Sequence, residues 1–115
     1  MSWRARLSLS LNELRVVYCA KSASSKGTRD FIKNNYKTFK VLNPGLPIYM
    51  RPSDGAQPHV AARYERGVYE VRDVTGLSEA QVLGVVQELE AAAPHINSTV
   101  GGGIGGNKFK LADIV

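Results

Sequence analysis

The chain has 115 residues, of which 43% are hydrophobic and 22% are charged, with a formal net charge of +5. This length supports a single domain, and the composition excludes a disordered or fibrous protein. No apolar run approaches the roughly 18 residues that cross a bilayer, so direct membrane insertion is not expected.

The charge is divided unevenly along the chain. Residues 1–51 hold ten Lys or Arg and two acidic residues, whereas residues 52–115 hold five Lys or Arg and eight acidic residues. A surface polarised in this way favours oriented docking on a charged partner.

Residues 1–12 form a basic N-terminal segment. It contains two arginines and no acidic residue, and Trp3, Leu7 and Leu11 recur every four residues. A helix with this spacing has an apolar stripe. The composition is typical of a mitochondrial import signal, and a frayed polar terminus is the alternative.

Residues 13–93 alternate between strand and helix patterns. Runs rich in β-branched and aromatic residues predict strands at residues 13–19, 46–51, 59–64 and 68–74. Helical spacing of apolar residues predicts a helix over residues 27–42, with Ser25 as its cap. Ser78 and Gln81 have the spacing of a capping box that starts a second helix.

The order strand, helix, strand, hairpin, helix joins a βαβ unit to a ββα unit. The sequence therefore predicts an α/β, thioredoxin-like fold with a mixed four-stranded sheet and packed helices. Pro94 follows the second helix, and glycines 101–103, 105 and 106 predict a flexible C-terminal extension over residues 94–115.

The first predicted helix carries a basic stripe, which consists of Arg29, Lys33, Lys37 and Lys40. These residues gather on one arc, which is either solvated surface or a contact for a partner. Arg63 and Tyr64 are further candidates, because Arg and Tyr are favoured anchors at interfaces. The candidate interface residues are Arg29, Lys33, Lys37, Lys40, Arg63 and Tyr64.

Cys19 is the single cysteine, so it is unpaired within the chain. A thioredoxin-like enzyme needs a thiolate at the start of a helix, where the helix dipole lowers the pKa. Here Ser22 occupies the place of a resolving cysteine, and the predicted helix begins several residues later. A buried packing role is the main interpretation, and a monothiol redox role is the alternative.

No other chemistry is indicated. His59 and His95 lack ligand partners at metal-binding spacing, and the glycine-rich GGGIGGNK lacks the Gly-Lys-Ser/Thr of a phosphate loop. The sequence therefore predicts no catalytic residue, no metal site and no cofactor. The acidic second half argues against nucleic acid as a partner.

Several short motifs together resemble a known family, the small thioredoxin-like accessory subunits of mitochondrial respiratory complex I, NADH:ubiquinone oxidoreductase. The similarity covers residues 13–93. It consists of Cys19, Ser22, Ser25, Gly27, Arg29-Asp30-Phe31-Ile32, Asn43-Pro44, Leu46-Pro47-Ile48, Gln57-Pro58 and Ala62-Arg63-Tyr64.

The resemblance implies a non-catalytic subunit in the matrix arm of complex I, on the matrix side of the mitochondrial inner membrane. It would bind other complex I subunits, above all the largest iron-sulfur core subunit, and support assembly and stability. Likeness to thioredoxin folds implies a cis peptide bond before Pro58. The family is shared with mitochondrial ribosomal proteins, so an rRNA-binding ribosomal subunit is the alternative.

Overall fold

The computed structural model describes the backbone of residues 2–102 and the side chains of residues 2–97. Four strands form one sheet, and their bounds are β1 Glu13–Tyr18, β2 Ile48–Pro52, β3 His59–Arg63 and β4 Tyr69–Asp73. The helices are α1 Leu7–Ser10, α2 Lys26–Leu42, α3 Glu79–Ala91 and α4 Ala93–Gly102. Short 3₁₀ turns cover Trp3–Arg6, Ala23–Ser25 and Glu65–Gly67.

The strand order across the sheet is β2-β1-β3-β4, so β2 and β4 are the edge strands. β1 is parallel to β2, which requires the crossover that α2 supplies, and antiparallel to β3. β3 and β4 form an antiparallel hairpin. The α/β class with a mixed four-stranded sheet is confirmed, and the order is consistent with a thioredoxin-like arrangement.

The hydrophobic core lies between one face of the sheet and the helices. β1, β2 and β3 contribute every second residue, because successive strand side chains point to opposite faces. These residues are Leu14, Val16, Ile48, Val60 and Ala62. The helices contribute Phe31 and Phe39 from α2, and Val82, Val86 and Leu89 from α3.

The N-terminal segment is packed on the domain. Leu7 and Leu11 are 0% and 2% exposed and belong to the core. The Asn43 side chain accepts a hydrogen bond from Ser8 N at 2.9 Å and donates one to Arg4 O at 2.7 Å. A frayed terminus is therefore the wrong interpretation of these residues, whereas the import signal stays a prediction.

The C-terminal part of the fold differs from the expected flexible extension. The capping box of Ser78 and Gln81 is present at the start of α3. Pro94, however, lies in the first turn of α4. Backbone N–H groups in the first turn have no partner within the helix, so a proline there costs no helical hydrogen bond. The chain is helical up to Gly102, with Ile96 packed against the core. Residues 103–115 of the predicted extension lie outside the described residues.

The bond before Pro58 is trans, as are all described peptide bonds, so the expected cis bond is wrong. Trans is the intrinsically favoured isomer of an X–Pro bond. Pro58 is buried next to the start of β3, and its carbonyl accepts a hydrogen bond from Val74 N at 3.0 Å. In residues 2–102, no helix combines the length and hydrophobicity needed to cross a membrane.

Candidate functional site on the open face of the sheet

One face of the sheet is not covered by any described helix. Its side chains alternate with the core residues along β1, β2 and β3, continue onto β4 through the register, and are absent from the hydrophobic core. We call this set the open face. It consists of Glu13, Arg15, Val17, Tyr49, Arg51, His59, Ala61, Arg63, Tyr69, Val71 and Asp73.

A buried carboxylate lies at the centre of the basic half of the open face. Glu13 is 7% exposed, although no element covers it. Its Oε2 is 3.2 Å from a guanidinium nitrogen of Arg15, and its Oε1 is 3.5 Å from Nε of Arg63. Burial of a charge is costly unless it is paired, and here two cations compensate one anion. The cluster therefore keeps a positive excess.

Tyr49 links two of the arginines. The guanidinium carbon of Arg15 lies 5.2 Å from the centre of the Tyr49 ring, and that of Arg51 lies 4.9 Å from it. Both distances are in the range of cation–π attraction. Nε of Arg15 and Oε2 of Glu13 are buried and make no hydrogen bond with the described residues. Nε of Arg15 thus lacks a partner within residues 2–97, whereas Oε2 of Glu13 has its 3.2 Å ion pair with another nitrogen of Arg15.

The other half of the open face, on β3 and β4, is apolar around Ala61 and Val71 and carries His59 and Asp73 at one end, and we call it the apolar half. Tyr69 and Val71 lie on the edge strand β4 with 50% and 57% of their surface exposed, and Ala61 lies beside Val71 in the register. Large exposed apolar side chains that lie close together are typical of contact surfaces.

Arg63 and Tyr64, adjacent in sequence, point to opposite sides of the sheet. Arg63 belongs to the open face, and as a contact for a partner it remains a prediction. Tyr64 is 0% exposed, and its hydroxyl donates a 2.6 Å hydrogen bond to Leu89 O. The strand alternation places it in the core, so Tyr64 is wrong as a surface contact.

The basic stripe divides into two kinds of residue. Arg29 donates hydrogen bonds to Cys19 O at 2.9 Å and to Ser22 O at 2.7 Å, and it therefore holds the loop after β1. Lys40 donates to Leu46 O at 2.8 Å and to Pro44 O at 3.3 Å in the same way. Lys33 and Lys37 are exposed on α2. As contacts for a partner, these two lysines remain a prediction.

Cys19 is 5% exposed and has no disulfide. The backbone N–H groups of Lys21, Gly55 and Ser22, together with the Ser22 hydroxyl, lower the pKa of its thiol to about 7. The predicted cap, Ser25, instead accepts a hydrogen bond from Cys19 N at 3.0 Å. The helix α2 begins only at Lys26, as expected, so its dipole lies far from the thiol. The backbone amides of the loop lower the pKa of Cys19 in its place. The thiol is therefore acidic and poorly accessible.

No metal site is formed by the part of the chain described here: residues 2–97 contain no group of three or more His, Cys, Asp or Glu side chains placed to hold an ion. The open face offers guanidinium groups, an aromatic ring and apolar side chains. Such a surface is suited to binding another macromolecule.

Comparison with known proteins shows the family of the chain. Residues 28–79 match the family described as "Mitochondrial ribosomal protein L51 / S25 / CI-B8 domain". Over 89 residues the chain is 44% identical to "NADH dehydrogenase [ubiquinone] 1 alpha subcomplex subunit 2" of Arabidopsis thaliana, which covers 77% of this chain and 92% of that protein. It is 36% identical to the "NADH-ubiquinone oxidoreductase 10.5 kDa subunit" of Neurospora crassa, over 77% of this chain and 95% of that protein.

A ribosomal protein is also similar. The "Large ribosomal subunit protein mL43" of Mus musculus is 32% identical over 84 residues, which are 73% of this chain and 42% of that protein. The relatives named as NADH dehydrogenase subunits are matched over nearly their whole length. The chain therefore belongs to the family of the alpha subcomplex subunit 2 of NADH dehydrogenase, as the resemblance in its motifs indicated.

Proposed function

We propose that the chain is an accessory subunit of mitochondrial complex I that supports assembly and stability and performs no catalysis itself. The observation that carries this proposal is the 44% identity to a named complex I subunit, over 92% of that protein. The fold supports the accessory role, because the helices bury one face of the sheet and the other face is available to a partner.

The proposed location is the matrix side of the mitochondrial inner membrane. The proposed partners are other complex I subunits, with the largest iron-sulfur core subunit of the matrix arm foremost among them. Support comes from the names of the relatives and from the open face, which offers the Arg and Tyr side chains that are enriched at protein interfaces.

The proposed mechanism is stabilisation by binding. A subunit that binds the assembled state and not the unfolded parts stabilises it by about 2.7 kcal/mol when its concentration is 100 times the dissociation constant. No bond-making step is needed for this effect. Cys19, the only thiol, is nearly inaccessible, which supports a non-catalytic role over the monothiol alternative.

The second candidate function is that of a mitochondrial ribosomal protein that binds rRNA. The similarity to the mouse ribosomal protein favours it. That similarity is lower, at 32%, and covers less than half of the relative. A positive excess on the open face is compatible with phosphate contacts, so the two functions need a direct test.

The test separates mitochondrial assemblies that contain a tagged full-length chain. Detergent-solubilised membranes are resolved by native electrophoresis, and ribosomes are sedimented from the same sample. We expect the chain to comigrate with NADH dehydrogenase activity. Its recovery with ribosomal subunits and their rRNA would contradict the proposal and favour the second candidate.

The absence of catalysis has its own test. The purified chain is offered a peptide–glutathione mixed disulfide together with reduced glutathione as the reductant, and formation of oxidised glutathione is followed. We expect no turnover. Turnover that disappears in Cys19→Ala would show the monothiol redox alternative to be correct.

A further inference from the structure

We propose that the open face is the surface through which the chain joins its complex, and that the partner presents carboxylates to Arg15 and Arg51 and apolar side chains to β4. The occupant is an acidic protein surface with an apolar border. The inference rests on the proposed function, because it names the binding surface of that subunit.

The arrangement of the sheet is the first argument. β1, β3 and β4 pair antiparallel, an arrangement that can leave one face to water, and such faces are ordinarily polar. On this face, however, Glu13 and Ala61 are each only 7% exposed, while Tyr69 and Val71 are large, apolar and at least half exposed. The face is thus unlike an ordinary solvated one in both of its halves.

The charge of the basic half is the second argument. Arg15 and Arg63 share the single carboxylate of Glu13. Arg51 lies over the ring of Tyr49, which is uncharged and therefore does not neutralise the guanidinium. Asp73, the other acid of the face, lies on β4 and accepts hydrogen bonds from Thr75. Positive charge therefore remains on β1 and β2, and it complements an acidic partner.

A buried donor without a hydrogen bond is the third argument. Buried polar atoms without a hydrogen bond are uncommon, and each calls for an explanation. Nε of Arg15 is a buried donor of this kind, whereas Oε2 of Glu13 is already ion-paired with the Arg15 guanidinium at 3.2 Å. A partner carboxylate or carbonyl that accepts a hydrogen bond from Nε of Arg15 would satisfy this donor.

The apolar half supplies the fourth argument. Tyr69 and Val71 are two residues apart on β4, so their side chains are neighbours on the open face. Burial of such side chains contributes favourable free energy, whereas the exposed charges mainly fix orientation.

A cleft of about 370 Å³ opens beside Arg63 at the end of the sheet, between Asn12 and Pro47, and offers room for a partner side chain.

The experiment uses the full-length tagged chain in mitochondria that lack their own copy. Incorporation is the fraction of the chain that comigrates with NADH dehydrogenase activity on native gels. Arg51→Glu tests the basic half, and Val71→Asp tests the apolar half. We expect each to reduce incorporation by about tenfold or more, which corresponds to about 1.4 kcal/mol of binding free energy.

Matched controls carry the same chemical changes outside the open face. Lys26→Glu reverses a charge at the exposed start of α2, and Val41→Asp places an acid at an exposed valine of the same helix. We expect both controls to incorporate within about twofold of the natural chain, because isolated surface changes have small effects. Circular dichroism of all four purified variants verifies that each is folded.

The outcomes separate the two proposals. If the natural chain comigrates with complex I and both open-face variants do so equally well, the docking surface is wrong and the proposed function stands. Equal losses in the folded controls would also overturn the docking surface. If the natural chain itself does not comigrate with complex I, the proposed function fails.

Discussion

The hydroxyl of Tyr64, at the end of β3, donates a 2.6 Å hydrogen bond to the carbonyl of Leu89 in the last turn of α3. The ring is fully buried, so this contact ties the hairpin to the helix through the core. Burial raises the pKa of Tyr64 to about 12, because the phenolate would lose its hydration.

The first prediction concerns alkaline pH. The folded chain keeps the Tyr64 proton between pH 10 and 12, whereas the unfolded chain releases it, so stability falls as the pH rises through this range. We expect a loss on the order of 2 kcal/mol across it, relative to Tyr64→Phe, which cannot ionise. Urea unfolding of both chains at several pH values measures the difference. Parallel pH profiles would contradict the assignment.

The same variant tests the hydrogen bond at neutral pH. Tyr64→Phe keeps the ring and removes the donor, so we expect it to cost about 1 kcal/mol of unfolding free energy. A loss below about 0.3 kcal/mol at pH 7 would show that the bond to Leu89 contributes little.

A second prediction rests on the close approach of two backbones. A Cβ at Gly27, in the first turn of α2, would lie only 1.8 Å from the carbonyl oxygen of Leu77. Backbone cannot move aside as a side chain can, so we expect Gly27→Ala to cost about 2 kcal/mol or more. Thermal unfolding is the measurement.

Gly84 is the matched control for Gly27. It lies within α3, and a Cβ there would meet no atom within 4 Å. We expect Gly84→Ala to stabilise the chain by about 0.5 to 1 kcal/mol, because alanine loses less backbone entropy in a helix. Equal effects of the two substitutions would show that the contact with Leu77 does not matter.

A third prediction concerns the N-terminal segment. Leu7 is fully buried in the core, so Leu7→Ala should cost about 2 to 5 kcal/mol. Leu9, which is 74% exposed, provides the control, and Leu9→Ala should change stability by less than about 0.5 kcal/mol. Chemical unfolding of both variants is the measurement. A small effect at Leu7 would mean that residues 1–12 are dispensable for the fold.

A fourth prediction concerns Cys19. Its alkylation rate by iodoacetamide should rise with pH around a midpoint near 7, because the loop amides stabilise the thiolate. The absolute rate should be lower than that of a free thiol, since the side chain is 5% exposed. Ser22→Ala removes a hydroxyl that stabilises the thiolate and should move the midpoint upward. A midpoint that stays near 8.5 in the natural chain would refute the assignment.

A fifth prediction concerns Lys33 and Lys37. Both are exposed, so reversing both charges with Glu should change the unfolding free energy by less than about 0.5 kcal/mol. Incorporation into the complex should become slower and more weakly dependent on salt, because such charges act mainly on association rates. The final fraction incorporated should stay within about twofold of the natural chain, because both lysines lie outside the open face. Time courses of incorporation after import into mitochondria, run at two ionic strengths, measure the rate and its dependence on salt. Unchanged rates would identify the lysines as solvated surface.

Most of the architecture could be predicted from local patterns. Runs rich in β-branched and aromatic residues identified all four strands, and each predicted strand overlaps the observed one. The capping box located α3 because its two hydrogen bonds depend only on residues three apart. Pro94 misled the prediction, because a proline is as acceptable in the first turn of a new helix as after the end of an old one.

The candidate site was harder to predict. Arg63 was identified, but Tyr49 and Arg51 were not, because nothing in a single strand shows which neighbours will lie beside it. Alternation along β2 and β3 could have separated Arg63 from Tyr64, and the alternation pattern was the available signal.

The sequence by itself determined the four strands and the two longest helices, their order, the family and the single thiol, since these depend on residue types and short spacings. Only the tertiary structure decided which face of the sheet is uncovered and which arginines meet Glu13 there. It also decided how the loop amides act on Cys19. In each case a residue distant in sequence takes part, because the register of β1 and β3 brings Arg63 to Glu13, and the loop after β2 brings the N–H of Gly55 to Cys19.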